Sequence, residues 1–168
     1  YLLHAVNKEK WDAMKELGVV EYCAKLKEEG KIRYYGFSFH DDYEVFDEIL
    51  HYRDWDFCQI QYNYMDTQEQ AGDKGYALAE SLGVPLVIME PIKGGSLANF
   101  SEDINDRFHK MDPDRSVASY ALRWVGSHPN VKVILSGMST MDQVEDNLKT
   151  FQDFSPLSEA EEKEIESI

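Results

Sequence analysis

Apolar positions along this chain fall into two alternating patterns. Short runs dense in apolar residues are separated by stretches with apolar residues every three or four positions, and glycines tend to sit at the joins. Tyr1-Leu2-Leu3-His4 reads as the end of a strand. From about Trp11 to Glu29 the spacing predicts one helix, with Met14, Leu17, Val19 or Val20, Cys23 and Leu26 on its apolar side and Gly30 as the stop. Ile32 to Phe37 predicts a strand ending at Ser38. Asp41 or Asp42 then caps a helix whose stripe is Val45, Phe46, Ile49 and Leu50.

The same alternation continues to the last residues. Phe57 to Tyr62 predicts a strand, and Gly75 to Leu82 a helical segment closed by Gly83. Pro85 to Met89 is an apolar run of the kind buried on both faces of a parallel sheet. The stretch from about Lys93 to Asp112, with Gly94, Gly95 and many polar residues, is expected to be irregular. Arg115 to Ser127 is expected to be helical, with Val117, Tyr120, Ala121 and Trp124 on one face. Val131 to Leu135 predicts a strand and Thr140 to Phe151 a helix. Ser158-Glu159-Ala160-Glu161 opens a last helix with a capping-box pattern.

Strand–helix alternation of this regularity implies parallel strands joined by right-handed crossovers. Counting the first, there are five strands. An open doubly wound sheet would want a Gly-x-Gly-x-x-Gly turn after an early strand, and none is present. The pattern therefore favours an α/β fold that is a portion of a (β/α)8 TIM barrel, with residues 1–168 as a single partial barrel domain.

Composition narrows the partners. Of 168 residues, 43% are hydrophobic and 29% charged, as in ordinary globular chains, and no apolar run approaches the roughly 20 residues that span a bilayer. Tyr1 to Leu3 is too short and lacks the basic flank of a secretory signal. Cys23 and Cys58 fit no metal or disulfide spacing and read as core residues, so the expected location is cytoplasmic. With 32 acidic against 17 basic residues the net charge is −15, which argues against nucleic acid and anionic membranes as partners. It leaves room for an anionic small molecule held by backbone N–H groups.

In a barrel, chemistry sits where strands end. His4 is either a half-buried, satisfied strand-end histidine or an imidazole that donates a hydrogen bond to a carbonyl oxygen. Ser136-Gly137-Met138-Ser139-Thr140 runs from a strand straight into a helix, a geometry suited to phosphate. Thr140 with Gln143 also reads as a simple capping box, which leaves only Gly137 without a structural account. Lys93-Gly94-Gly95 is either a flexible loop or a close approach of backbone to a ligand, with Lys93 as counter-charge. Gln59 and Asn63 offer donor and acceptor ends suited to a carboxamide, or to hydrogen bonds inside the barrel. His40, His51, His109 and His128 are scattered, so no metal site is expected, and no Gly-x-Ser-x-Gly elbow appears.

Taken together, four ordered blocks resemble the aldo-keto reductase family over essentially the whole chain. They are Tyr1-Leu2-Leu3-His4; Gly30-Lys31-Ile32-Arg33-Tyr34-Tyr35-Gly36-Phe37-Ser38; Gln59-Ile60-Gln61-Tyr62-Asn63; and Gly137-Met138-Ser139 through Gln143 to Asn147. The resemblance implies strands four to eight of the barrel, with the N-terminal half absent, and NADPH-dependent reduction of an aldehyde or ketone. It implies NADP as cofactor, with NAD left open. His4 matches the last of the family's four catalytic residues; the Asp, Tyr and Lys lie on earlier strands in the family. Ser38 and Gln59 match carboxamide-binding positions. Glu90, Pro91, Ile92, Lys93 and Gly94, and then Gly137, Met138, Ser139, Gln143 and Asn147, match cofactor-binding segments.

This sequence also departs from the family. Phe39 and His40 follow Ser38 where most relatives have Asn, and Glu90 stands where many place an aromatic residue. No lysine or arginine occurs among Met138, Ser139 and Gln143. The Met89 to Gly95 loop is similar to that of a branch that often continues into an iron–sulfur-type tail. Two readings follow: the cofactor-binding half of a carbonyl reductase, inactive alone, or a non-catalytic cofactor-binding or structural half-barrel. In either reading a missing barrel half or another copy is the expected macromolecular partner, because an unpaired strand edge invites pairing.

Overall fold

The computed structural model describes residues 1–168. In chain order the elements are β1 (Leu2–Val6), α1 (Lys8–Glu16), α2 (Val19–Glu28), β2 (Gly36–Phe39), α3 (Tyr43–Tyr52), β3 (Phe57–Gln61), α4 (Gly72–Ser81) and β4 (Leu86–Met89). A short 3-10 turn, Lys93–Gly95, follows, and then α5 (Glu102–Met111), α6 (Val117–Gly126), β5 (Val131–Ile134), α7 (Met141–Gln152) and α8 (Glu159–Glu166). The strands hydrogen-bond in the order β1-β2-β3-β4-β5, and β1–β2 and β2–β3 pair in parallel. This is the expected α/β arrangement of a partial (β/α)8 barrel. No helix is long and apolar enough to cross a membrane.

The chain packs as two compact units. One comprises Tyr1–Gln61 with Thr67–Val87, the other Tyr62–Asp66 with Ile88–Ile168.

The first unit is built on aromatic residues. Phe37 packs on Trp55 at a 4.8 Å centroid distance and on Phe46 at 6.0 Å, while Phe39 meets Phe46 at 5.0 Å. Each such pair adds about 1 kcal/mol to the burial of its rings. Gly36 is required at the start of β2, since a Cβ there would lie 2.3 Å from the Phe57 carbonyl oxygen. A side chain would push β2 off β3.

Two boundaries differ from the sequence expectation, each for a visible reason. The single helix over Trp11 to Glu29 is broken at Gly18, which adopts φ +70°. The helical phase restarts there, so Leu17 ends 78% exposed instead of joining the apolar stripe. The strand expected from Ile32 begins only at Gly36. Lys31 and Ile32 donate their N–H groups back to the Leu26 carbonyl, at 2.9 and 3.3 Å, and close α2. The Tyr35 N–H goes to Asp56 Oδ2 at 2.7 Å rather than to a strand partner.

In the second unit, Phe108, Val117, Tyr120, Leu157 and Ile165 form the core, with Tyr64, Phe100 and Trp124 packed against it. Helix α5 lies inside the stretch expected to be irregular. Its only apolar residues are Ile104, Phe108 and Met111, a stripe too sparse to stand out among charges, yet enough once Phe108 is fully buried. Arg107 pairs with Glu164 at 2.7 Å and Arg115 with Glu161 at 2.6 Å, which ties α8 to the rest of this unit. The capping boxes at Thr140 and Ser158 both form.

Asp56 yields a pH-dependent test. Burial opposes its charged form, but the Lys27 ammonium and the Tyr35 N–H outweigh that and hold the carboxyl below its ordinary range. A carboxyl with a depressed folded-state pKa stabilises the fold above its unfolded value, and that contribution fades as pH falls through the folded value. Asp56→Ala should cost about 2 kcal/mol at neutral pH. In urea unfolding, the gap to wild type should close as the pH is lowered through about 4 and below. A pH-independent gap would contradict this role.

Candidate functional site

Three of the residues singled out from the sequence meet in the first unit. Ser38 and Gln59 are direct register partners on β2 and β3. On β1, Leu3 pairs with Phe37 and Val6 with Phe39, and the bulge between them leaves His4 and Ala5 opposite Ser38. Ala5 adopts φ +51°, unusual for a residue with a side chain, at a cost of about 1–2 kcal/mol. Its N–H donates to Ser38 Oγ at 2.7 Å, and its carbonyl accepts from Lys10 Nζ at 2.9 Å. Ser38 is buried and His4 is exposed. A bulge at a strand end commonly re-aims a side chain, and here it leaves the imidazole open to solvent.

The second unit contributes a cavity of about 590 Å³, within the range of small-molecule sites. One wall is Met89 to Ile92 with Gly94 and Gly95; the other is Leu135 to Gly137 with Ser139 and Gln143. Seven of the expected cofactor residues therefore line a single cavity: Glu90, Pro91, Ile92, Gly94, Gly137, Ser139 and Gln143. At Gly94, Gly95 and Gly137 an added Cβ would meet nothing closer than 3.8 Å, so bare backbone borders open space on both walls. A flat or extended ligand can approach there.

The first wall is held by a buried polar knot that sequence reasoning missed. Glu90, Lys93, Gly94 and Gly95 all have positive φ. Asn63, fully buried, donates through Nδ2 to the Glu90 carbonyl and to Asp66 Oδ2, both at 3.1 Å. Its Oδ1 accepts the N–H groups of Met65 and Asp66 at 3.0 Å. Asp66, with a side chain only 7% exposed, ion-pairs with Lys93. Both ends of the Asn63 amide are thus spent on the scaffold, and Lys93 is held by a carboxylate. The only signal for Asp66 was its place three residues after Asn63; its partner lies 27 residues further on.

The second wall is capped by its own side chains. Gln143 Oε1 accepts from the N–H of Ser139 at 2.7 Å and of Thr140 at 3.2 Å, and from Ser139 Oγ at 3.3 Å. Asn147 Nδ2 donates to Ser136 Oγ at 2.8 Å. Asn147 thus braces the wall without lining the cavity, and Met138 is 43% exposed.

Parallel β/α units with polar strand ends and a glycine-walled cavity define the class: a protein built on (β/α)8 barrel architecture. More narrowly, the chain belongs to the aldo/keto reductase family, whose profile matches residues 1–168. An aldo-keto reductase from Bacillus halodurans, AKR11C1, is similar in its apo form, with TM-score 0.78, 26% identity, and 99% of this chain on 60% of that one. Its holo form gives 0.77 and 27%, over 99% and 59%. An aldo/keto reductase from Klebsiella pneumoniae in complex with NADP and acetate shares the fold, with TM-score 0.72 and 23% identity over 99% and 57%. This chain therefore spans about three-fifths of the length of these structures. No curated protein matches it.

The polar knot is open to mutation. Asp66→Ala should cost about 1–2 kcal/mol, tempered by the half-exposed Lys93. Hydrogen exchange should speed up at the amides of residues 90–97 and stay unchanged in α3. Uniform acceleration would mean that Asp66 supports the fold in general and not this loop.

Proposed function

We propose that this chain carries the cofactor-holding part of a nicotinamide-dependent oxidoreductase that reduces an aldehyde or ketone. The observation that carries the reading is the cavity of the second unit, into whose walls seven residues matched to the family's cofactor segments fall. Family membership supports the reaction class. Either NADP or NAD meets the shape requirement, and the Klebsiella pneumoniae structure, in complex with NADP, supports a nicotinamide cofactor. When bound, a reduced nicotinamide supplies the reducing equivalent for a carbonyl carbon.

The residues of this chain hold and orient. The Glu90 to Gly95 wall, pinned through Asn63 and Asp66, and the Ser136 to Gln143 wall, fixed by Gln143 and Asn147, enclose the ligand. Ser38 sets the bulge that exposes His4, and the His4 imidazole orients a carbonyl oxygen by hydrogen bonding. The family's Asp, Tyr and Lys have no match here, so no residue of this chain is assigned as the proton donor. Buried, unpaired Cys23 and Cys58 accord with a reducing, cytoplasmic setting.

Titration with NADPH, followed through tryptophan fluorescence, tests the reading. Saturable quenching below millimolar cofactor is expected, with no turnover of a simple aromatic aldehyde by this chain alone. Absence of quenching at millimolar cofactor would remove the cofactor-holding role.

A second reading, association with another chain, is favoured by β5 and α7, where Val133 is 47% and Leu148 63% exposed. Exposed apolar strand and helix surface of this kind drives pairing. Sedimentation should show self-association; a monodisperse monomer would exclude it.

A further inference from the structure

We infer that the cavity of the second unit selects NADH over NADPH; this rests on the nicotinamide-binding reading above. The two cofactors differ by one phosphate ester on a ribose, which carries a charge of about −1.5 to −2 at neutral pH. All other groups, the pyrophosphate included, are common to both. Selection is decided by whether the extra phosphate meets a counter-charge. Along this cavity it meets none.

No lysine, arginine or histidine lines the cavity, and its one ionisable lining residue is the acid Glu90. Lys93, next in the loop, is already neutralised by the buried Asp66. Two other lysines of this unit, Lys132 and Lys149, donate to the carbonyls of Pro129 and Asp114. Just before α7, Gln143 Oε1 takes the Ser139 and Thr140 N–H groups and the Ser139 hydroxyl, three donors that an anion would otherwise meet. Asp142 adds a negative charge in the first turn. Wherever along this cavity the ribose lies, a phosphate would lose water and gain repulsion, whereas a ribose hydroxyl needs only one acceptor or donor.

The deciding positions are therefore Glu90 and Ser139, one on each wall. Direct titration of the 168-residue chain with NADH and with NADPH, by calorimetry or tryptophan quenching at low ionic strength, reads the ratio of the two dissociation constants. NADH is expected to bind at least about tenfold more tightly, with the gap narrowing as added salt screens the repulsion. Ser139→Arg, by adding a guanidinium to this wall, should strengthen NADPH binding more than NADH binding and narrow the gap about tenfold. Glu90→Gln should narrow the gap from the other wall. Equal or tighter NADPH binding by the wild-type chain overturns the selectivity and leaves the cofactor reading intact. A gap that neither substitution alters overturns its electrostatic cause. Saturable binding of neither cofactor defeats the nicotinamide reading itself and the selectivity with it.

Discussion

The ion pair between buried Asp66 and half-exposed Lys93 is the contact on which the cavity of the second unit depends. The loop after β4 places Glu90, Lys93, Gly94 and Gly95 at positive φ, a sequence of conformations that a free chain would leave. Lys93 is anchored by Asp66, and Asn63 grips both Asp66 and the Glu90 carbonyl. A nearly dry carboxylate without its cation would be strongly unfavourable, so the pair and the loop stand or fall together. Shape at this wall follows from charge beneath it.

The same economy governs the other groups at the strand ends. Ser38 Oγ is occupied by the Ala5 N–H, Gln143 Oε1 by three donors at the start of α7, and Asn147 by Ser136. Such satisfied networks rigidify a site in advance of any ligand. They also limit what the site can offer. Bare glycine backbone and one acidic residue, Glu90, line the cavity.

Much of this was legible in the chain itself. Regular alternation of strand and helix patterns specified parallel β/α units, and both capping boxes appear where Thr140-x-x-Gln143 and Ser158-x-x-Glu161 predict them. Helix α5 was not legible, because three apolar residues in ten give a weak period beside Gly94 and Gly95. The start of β2 was misplaced since Asp56, twenty-one residues beyond Tyr35, takes the Tyr35 N–H that a longer strand would have used. At the site, the candidate residues were readable as strand ends, but which of them line one cavity was not. Lys93, expected as a counter-charge for a ligand, ion-pairs with Asp66, and Gln143 serves at once as a cap and as cavity wall.

By itself the sequence determined the order and type of most elements, since periodicity, glycine stops and caps are local properties of neighbouring residues. It also set the net charge of −15 and the absence of any cation among Met138, Ser139 and Gln143. Only the tertiary structure decided the bulge that exposes His4 and the pairing of Asp66 with Lys93. Both depend on groups 33 and 27 residues apart meeting within hydrogen-bonding range. Such contacts leave no periodic trace along the chain.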